Sequence, residues 1–279
     1  MSMYQIIDGK KISQEIKEEL KLKAAEMKAA GEERCLAVIQ VGNDPASSVY
    51  VNNKKKACAY IGIKSLSYEL PEESTEEELL EIVKELNNRE DVNGILVQLP
   101  LPKQINEERV LLAIDPRKDV DGFHPVNVGN LSIGRPGYVS CTPAGVIELC
   151  RRFGIEIEGK ECVVLGRSNI VGKPMAMLLL RENGTVTVCH SRTKNLKEIT
   201  RRADILVVAV GKPRFIDESY VKEGAVVIDV GIHRNEDNKI CGDVDFDRVA
   251  PHTLAITPVP GGVGPMTIAM LMANCMQSL

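Results

Sequence analysis

Tyr50 and Lys54 stand four residues apart in a segment that opens with Asp44-Pro45. An aspartate as N-cap followed by a proline in the first turn starts a helix there. At about 100° per residue, one face of that helix gathers Ser47, Tyr50, Lys54, Ala57, Cys58 and Ile61, while Lys55 and Lys56 point elsewhere. Lys54 is therefore the lysine expected to be drawn out of water, and Lys55 and Lys56 are expected to stay solvated. Desolvation loosens an ammonium's hold on its proton and suits a lysine to acid–base work near neutrality. A lysine snorkelling off an amphipathic helix is the plainer alternative. Gln98 closes an apolar strand, and Leu99-Pro100-Leu101-Pro102 ends that strand with the amide at its carboxyl edge. Asp121, within Lys118-Asp119-Val120-Asp121-Gly122, offers a carboxylate able to accept the paired N–H donors of a guanidine-like heterocycle. Metal binding by Asp119 and Asp121 is the weaker alternative, because no further ligand cluster accompanies them.

A second set of residues suits a nucleotide. Gly166-Arg167-Ser168-Asn169-Ile170-Val171-Gly172-Lys173-Pro174 follows an apolar strand and opens a helix through Met175 to Leu180. A helix N-terminus, with unpaired N–H groups and the positive end of its dipole, favours phosphate. Five residues rather than four separate the glycines, and Pro174 stands where a magnesium-binding Ser or Thr would follow the lysine. An ATPase P-loop is excluded on both counts, and the pattern is not G-x-G-x-x-G either. A glycine-bearing turn in an ordinary α/β core fits equally well until the next strand's end is read. There, Cys189-His190-Ser191-Arg192-Thr193-Lys194 lacks the acid that would hold a ribose 2′-hydroxyl. Ser191, Arg192 and Arg167 provide a hydroxyl and cations instead, which suits a 2′-phosphate and favours NADP over NAD. Glycines recur at two later strand ends, Val210-Gly211-Lys212-Pro213 and Asp229-Val230-Gly231-Ile232, and leave space for a ligand across the sheet edge. Pro258 through Thr267 reads as a shaped loop between the apolar stretch Leu254–Ile256 and the apolar C-terminal segment. It places rigid backbone where open α/β sheets bind ligands, although a tight connector is the bland reading.

The elements that must carry these groups alternate along the chain. Helices are predicted over 10–30, 45–61, 75–88, 107–113 and 142–153, and strands over 35–41, 64–70, 94–97, 162–165, 186–188, 205–210 and 226–230. The stretch 115–137, rich in Gly, Pro, Asn and Asp, reads as irregular, and Asn235-Glu236-Asp237-Asn238 as a hairpin turn. Alternating strands and helices require parallel sheets covered by helices. Two α/β domains follow, at residues 1–141 and 142–279.

The 279 residues carry a formal net charge of −4 and are 44% hydrophobic, enough for a large core without a broad basic field. Nucleic acid and membrane are excluded as principal partners, since no apolar run approaches the ~18 residues of a membrane span. The eight cysteines form no C-x-x-C pair and no metal-ligand spacing with the four histidines. They read as reduced core residues, no metal is expected, and without a signal-peptide core the expected compartment is the cytoplasm.

With these residues in place, the sequence resembles the bifunctional methylenetetrahydrofolate dehydrogenase/methenyltetrahydrofolate cyclohydrolase family. The resemblance runs through Ser47-Ser48-Val49-Tyr50-Val51-Asn52-Asn53-Lys54, Gly94 to Pro102, Lys118 to Gly122, Gly166 to Pro174 and Pro258 to Thr267, in family order. It implies two α/β domains, the second a Rossmann-like parallel sheet whose last helix returns towards the first domain, with the folate cleft between them, and a homodimer. It also implies site roles: Lys54 as the central catalytic residue, Gln98 modulating it, Tyr50 packing on the folate rings and Asp121 holding the pterin. Ser47, Pro260, Gly261 and Gly262 would line the folate side, and Gly166, Arg167, Ser168, Gly172, Ser191, Arg192 and Ile232 the NADP side. The implied chemistry is NADP-dependent oxidation of 5,10-methylenetetrahydrofolate to the 5,10-methenyl form, then hydrolysis to 10-formyltetrahydrofolate. The alternatives are a dehydrogenase without the hydrolytic activity, another two-domain NAD(P)-dependent dehydrogenase acting on a small acid, and a non-catalytic binder. A short-chain dehydrogenase also uses a Tyr-x-x-x-Lys pair, but there it follows the glycine-rich motif, and here it precedes it.

Overall fold

The computed structural model describes residues 4–234 and 239–277. Through the first part of the chain run β1 (Gln5–Ile6), α1 (Gly9–Ala29), β2 (Cys35–Val41), α2 (Pro45–Ile61), β3 (Lys64–Leu70), α3 (Glu76–Asn88), β4 (Gly94–Val97), α4 (Glu107–Ala113) and α5 (Pro125–Ser132). Next come α6 (Cys141–Phe153), β5 (Glu161–Leu165), α7 (Gly172–Arg181), β6 (Thr185–Cys189), α8 (Leu196–Thr200), β7 (Ile205–Val208) and β8 (Ala225–Asp229). The last elements are β9 (His233–Arg234), β10 (Ile240–Cys241), α9 (Phe246–Val249), β11 (Thr253–Ile256) and α10 (Val263–Cys275).

The chain divides into two compact units, neither continuous in sequence. One combines Gln14–Val139 with the residues from Ile268 onward. Its sheet is parallel, in the order β3-β2-β4. Every residue of β2 is buried, as a central parallel strand covered on both faces requires. One face of β2, with Cys35, Ala37, Ile39 and Val41, packs on Leu79, Val83 and Leu86 of α3 and on Val110 and Ile114. A reciprocal cap starts α3: Thr75 Oγ1 accepts the Glu78 amide at 3.2 Å, and Glu78 Oε2 accepts the Thr75 amide at 2.8 Å. The end of α10 belongs to this unit. Asn274 Nδ2 donates to the carbonyls of Val120 and Val139 at 2.8 and 3.0 Å, and Cys58 Sγ lies 3.6 Å from Met272 Sδ.

The other unit combines the residues up to Ser13 with Ser140–Thr267. Its six parallel strands are ordered β1-β11-β8-β7-β5-β6. The core joins Val163, Leu165, Leu206, Val208, Val227 and Ile256 to Ala203, Val244 and Val249.

Three expectations need revision, and one strand was not foreseen. Residues 125–132 of the stretch read as irregular form α5, because Pro125 fills the first turn and His124 Nδ1 accepts the Val126 amide at 3.2 Å. Strand β1 is too short to show periodicity and is recognised only by pairing with β11. The loop after β11 is shorter than read, since Val263–Thr267 already belongs to α10. Lys55 is half-buried and bonded to Glu69 at 2.8 Å rather than fully solvated. The turn expected at 235–238 lies outside the described residues, although β9 and β10 on either side of it pair antiparallel.

All eight cysteines are free and buried. Burial pushes the thiols of Cys58 and Cys150 up to about 12, so the reactive thiolate is scarce at neutral pH. A thiol-reactive disulfide dye should therefore leave the native protein unlabelled over minutes and titrate all eight cysteines after unfolding in urea.

Candidate active site

In the unit built on Gln14–Val139, Asp44 caps α2 by accepting the Ser47 amide on Oδ2 at 2.8 Å, with Pro45 in the first turn. That start fixes the helix phase. Ser47, Val51, Ala57, Cys58 and Ile61 are buried, and Lys54 lies half-buried on their margin. Its Nζ donates to Gln98 Oε1 at 3.0 Å. The glutamine is itself held: its main-chain N–H donates to the Ile39 carbonyl at 2.8 Å, and its Nε2 to the Leu99 carbonyl at 2.7 Å. With the amide nitrogen so engaged, the oxygen is left to face the lysine. Tyr50, one turn before Lys54, is 39% exposed, and partial burial raises its phenol pKa.

Asp121 reaches the same cluster by another route. Lys118 Nζ donates to the Leu86 and Arg89 carbonyls at the end of α3, at 3.0 and 2.6 Å. The Lys118 carbonyl accepts the Ile95 amide at 2.8 Å, which lays Lys118–Asp119 beside β4. Asp119 is turned inward and occupied: one of its oxygens accepts from the His124 amide at 2.8 Å and from Asn127 Nδ2 at 2.9 Å. Burial pushes the Asp121 carboxyl up to about 6, the Lys54 ammonium pulls against that rise, and Asp119 adds to it. Lys54, Gln98 and Asp121 thus bring together one ammonium, one fixed acceptor and one carboxyl pushed up to about 6. Among the described residues, no group of three or more His, Cys, Asp or Glu could hold a metal ion.

In the other unit, Gly166 ends β5 at φ +135°, and a Cβ there would fall 2.3 Å from the Ala209 carbonyl oxygen. A Cβ on Gly172 would fall 2.3 Å from the Gly166 carbonyl oxygen, so this turn is closed to side chains at both glycines. The amides entering α7 are partly used from within. Val171 and Gly172 donate to Ser168 Oγ at 3.2 and 3.3 Å, and Lys173 to the Ser168 carbonyl at 3.0 Å. Arg167, Ser191 and Arg192 are exposed. The turn bearing Ser191 and Arg192 is tied by the His190 amide to Thr193 Oγ1 at 2.9 Å and by the Arg192 amide to His190 Nδ1 at 3.2 Å. Ile232, beyond β8, is 46% exposed. Pro260, Gly261 and Gly262 lie in the loop between β11 and α10, where the Gly261 carbonyl accepts the Lys10 amide at 2.8 Å.

Residues 7–121 match the profile described as tetrahydrofolate dehydrogenase/cyclohydrolase, catalytic domain, and residues 140–279 match the NAD(P)-binding domain of the same family. The chain belongs to the tetrahydrofolate dehydrogenase/cyclohydrolase family. It is 72% identical over 273 residues to the bifunctional protein FolD of Lachnoclostridium phytofermentans, covering 98% of this chain and 97% of that protein. The crystal structure of the FolD enzyme of Campylobacter jejuni superposes with a TM-score of 0.97 at 52% identity, covering 99% of this chain and 98% of that one. A FolD of Trypanosoma brucei, solved with NADP cofactor and inhibitor, superposes with a TM-score of 0.93 at 42% identity, over 99% and 97% of the two chains. With both family domains present, this FolD-type chain is a bifunctional dehydrogenase/cyclohydrolase with an NAD(P)-binding domain.

Sequence reading singled out neither Asp243 nor His233, which lie with Asp229 at the carboxyl end of the six-stranded sheet. The available signal was an aspartate closing the apolar strand Ala225–Asp229 and another in Gly242-Asp243.

Proposed function

We propose that this FolD-type chain oxidises 5,10-methylenetetrahydrofolate with NADP and hydrolyses the resulting 5,10-methenyl cation to 10-formyltetrahydrofolate. The observation that carries the reading is the bond from Lys54 Nζ to Gln98 Oε1, beside the Asp121 carboxyl. Asp121 accepts the pterin's paired N–H donors, Tyr50 lies against its rings, and Ser47 lines the folate side. NADP, when bound, supplies the hydride acceptor, so the first reaction asks the protein chiefly for orientation. The hydrolysis asks more of the side chains. Water attacks the methenyl carbon, giving up a proton, and ring opening requires a proton on the departing nitrogen. Lys54 is placed to relay it, with Gln98 holding the amine in line.

The NADP side fits this chain's own residues. The turn from Gly166 to Gly172 at the start of α7, with Ser168 in it, takes the pyrophosphate, while the exposed Ser191, Arg192 and Arg167 meet the 2′-phosphate. Folate is assigned to the unit built on Gln14–Val139 and NADP to the unit built on Ser140–Thr267, where the sequence suggests a single boundary between 1–141 and 142–279, in a cytoplasmic homodimer whose mass sedimentation would check. The decisive assay is formation of reduced nicotinamide from 5,10-methylenetetrahydrofolate with NADP or NAD. Arg192→Ala should raise the KM for NADP about tenfold, in keeping with loss of a charge-assisted hydrogen bond, and leave the KM for NAD nearly unchanged. Turnover with NAD alone would sink the cofactor assignment and leave the dehydrogenase standing.

A further inference from the structure

Two carboxylates at the carboxyl end of the six-stranded sheet are engaged by the main chain. Asp229, which ends β8 at 3% exposure, accepts the amides of Gly231, Asp243 and Val244 at 2.9, 3.0 and 2.9 Å. Asp243 is fully buried and accepts three consecutive amides, those of Val210, Gly211 and Lys212, at 2.7, 3.0 and 2.8 Å. Its Oδ1 also lies 2.7 Å from His233 Nε2. The packing leaves no room for a side chain at the adjoining glycines. A Cβ at Gly242 would lie 1.9 Å from Asp229 Oδ2, and one at Gly231 would lie 2.5 Å from Asp243 Cγ.

One buried side chain thus ties together two turns at the sheet edge, 210–212 after β7 and 231–233 after β8. Strand order says what those turns face. If the 2′-phosphate lies at the end of β6 and the pyrophosphate at the turn after β5, the other half of a dinucleotide extends over β7 and β8, the next strands in the order β8-β7-β5-β6. Between Gly231 and His233 stands Ile232, 46% exposed.

We propose that Asp243 is a positioning residue for the hydride-transfer reaction. It fixes the 210–212 turn directly and, through His233, the Gly231–Ile232 backbone, and so sets the surface on which the nicotinamide half of the cofactor is laid. The proposal rests on the cofactor assignment above and gives Asp243 no part in the hydrolysis. An aspartate can accept from three amides and a histidine at once, whereas an asparagine must present an NH2 group to donors that need an acceptor.

The test compares Asp243→Asn and His233→Asn in the full-length protein, measuring NADP-dependent oxidation and, separately, hydrolysis of 5,10-methenyltetrahydrofolate without nucleotide. Asp243→Asn should lower kcat for oxidation by about tenfold to a hundredfold, as expected for a reacting group displaced by a fraction of an ångström to an ångström. Hydrolysis should stay within about twofold, a split that general loss of structure would not produce. His233→Asn should show the same split at smaller size, and it decides the matter if Asp243→Asn fails to fold. Equal loss of both activities in His233→Asn, or undiminished oxidation in both variants, would overturn the proposal. Arg167→Ala separates the two layers of argument. If it raises the KM for NADP while both other variants oxidise normally, the positioning role fails alone. If it leaves that KM unchanged, the cofactor edge is misassigned and the positioning role falls with it.

Discussion

Lys54→Met is expected to reduce hydrolysis of 5,10-methenyltetrahydrofolate by about a hundredfold to ten-thousandfold, the range for loss of a positioned proton-transfer group. Methionine keeps an unbranched stem on the α2 face that carries buried Ala57, Cys58 and Ile61, so the helix has no reason to melt. The structural cost is the partner lost by Gln98 Oε1, and at a half-buried position water can replace part of that bond, which keeps the cost near the low end of about 1–3 kcal/mol. Oxidation should fall less than hydrolysis, because hydride transfer depends on alignment more than on proton movement. Absorbance decay of the methenyl substrate and a thermal melt of the same sample check both halves of the expectation. A folded Lys54→Met protein with full hydrolytic rate would remove Lys54 from its assigned role.

The second large effect is expected at Asp121. Asp121→Asn should lower kcat/KM for the folate in both reactions by about a hundredfold, since the amide replaces one acceptor oxygen with a donor facing the pterin's own donors. In the wild type, the same carboxyl predicts a pH dependence. Its pKa is about 6, raised mainly by burial. Only the ionised form accepts two N–H donors, so folate affinity should be level above that pH and fall about tenfold per unit below it. The Asn variant should lose this slope. Stability carries the opposite sign. A carboxyl whose folded pKa lies above its ordinary value of 3.8 binds more protons in the native state across the window from 3.8 to about 6. Its contribution therefore declines as pH rises through that window, and Asp121→Asn should flatten the melting temperature there. Initial rates from about pH 5 to about pH 8, with melts across the lower window, test both signs.

Local chemistry made the face of α2 that carries Lys54 readable from sequence, whereas the partnership of Gln98 with Lys54 followed only from the family resemblance. Asp44-Pro45 announces the helix start, and once its phase is known Lys54 must lie at the margin of the buried face and Lys56 away from it. The strand order of the six-stranded sheet was not readable in this way. Strand β1 has two residues and owes its place to β11, near the other end of the chain. Asp243 was invisible for a similar reason. The three amides it accepts lie 31 to 33 positions earlier, and no spacing rule links a buried aspartate to so distant a turn. Helix α5 failed for the opposite reason, because Gly, Asn and Ser suppress its propensity while a proline start, a histidine cap and the inward bonds of Asn127 sustain it.

The placement of α10 bears on the order in which the protein is made. Leu271, Met272 and Cys275 are buried, the Asn274 amide joins the Val120 and Val139 carbonyls, and all of these lie in the unit that carries Lys54. A ribosome delivers those residues well after Gln14–Val139. The unit that carries Lys54 must therefore wait with an apolar seat open until the segment from Ile268 has emerged, more than a hundred residues after Val139. A gene cut near residue 140 would accordingly give a first half that holds Lys54, Gln98 and Asp121 but lacks the helix that closes its core.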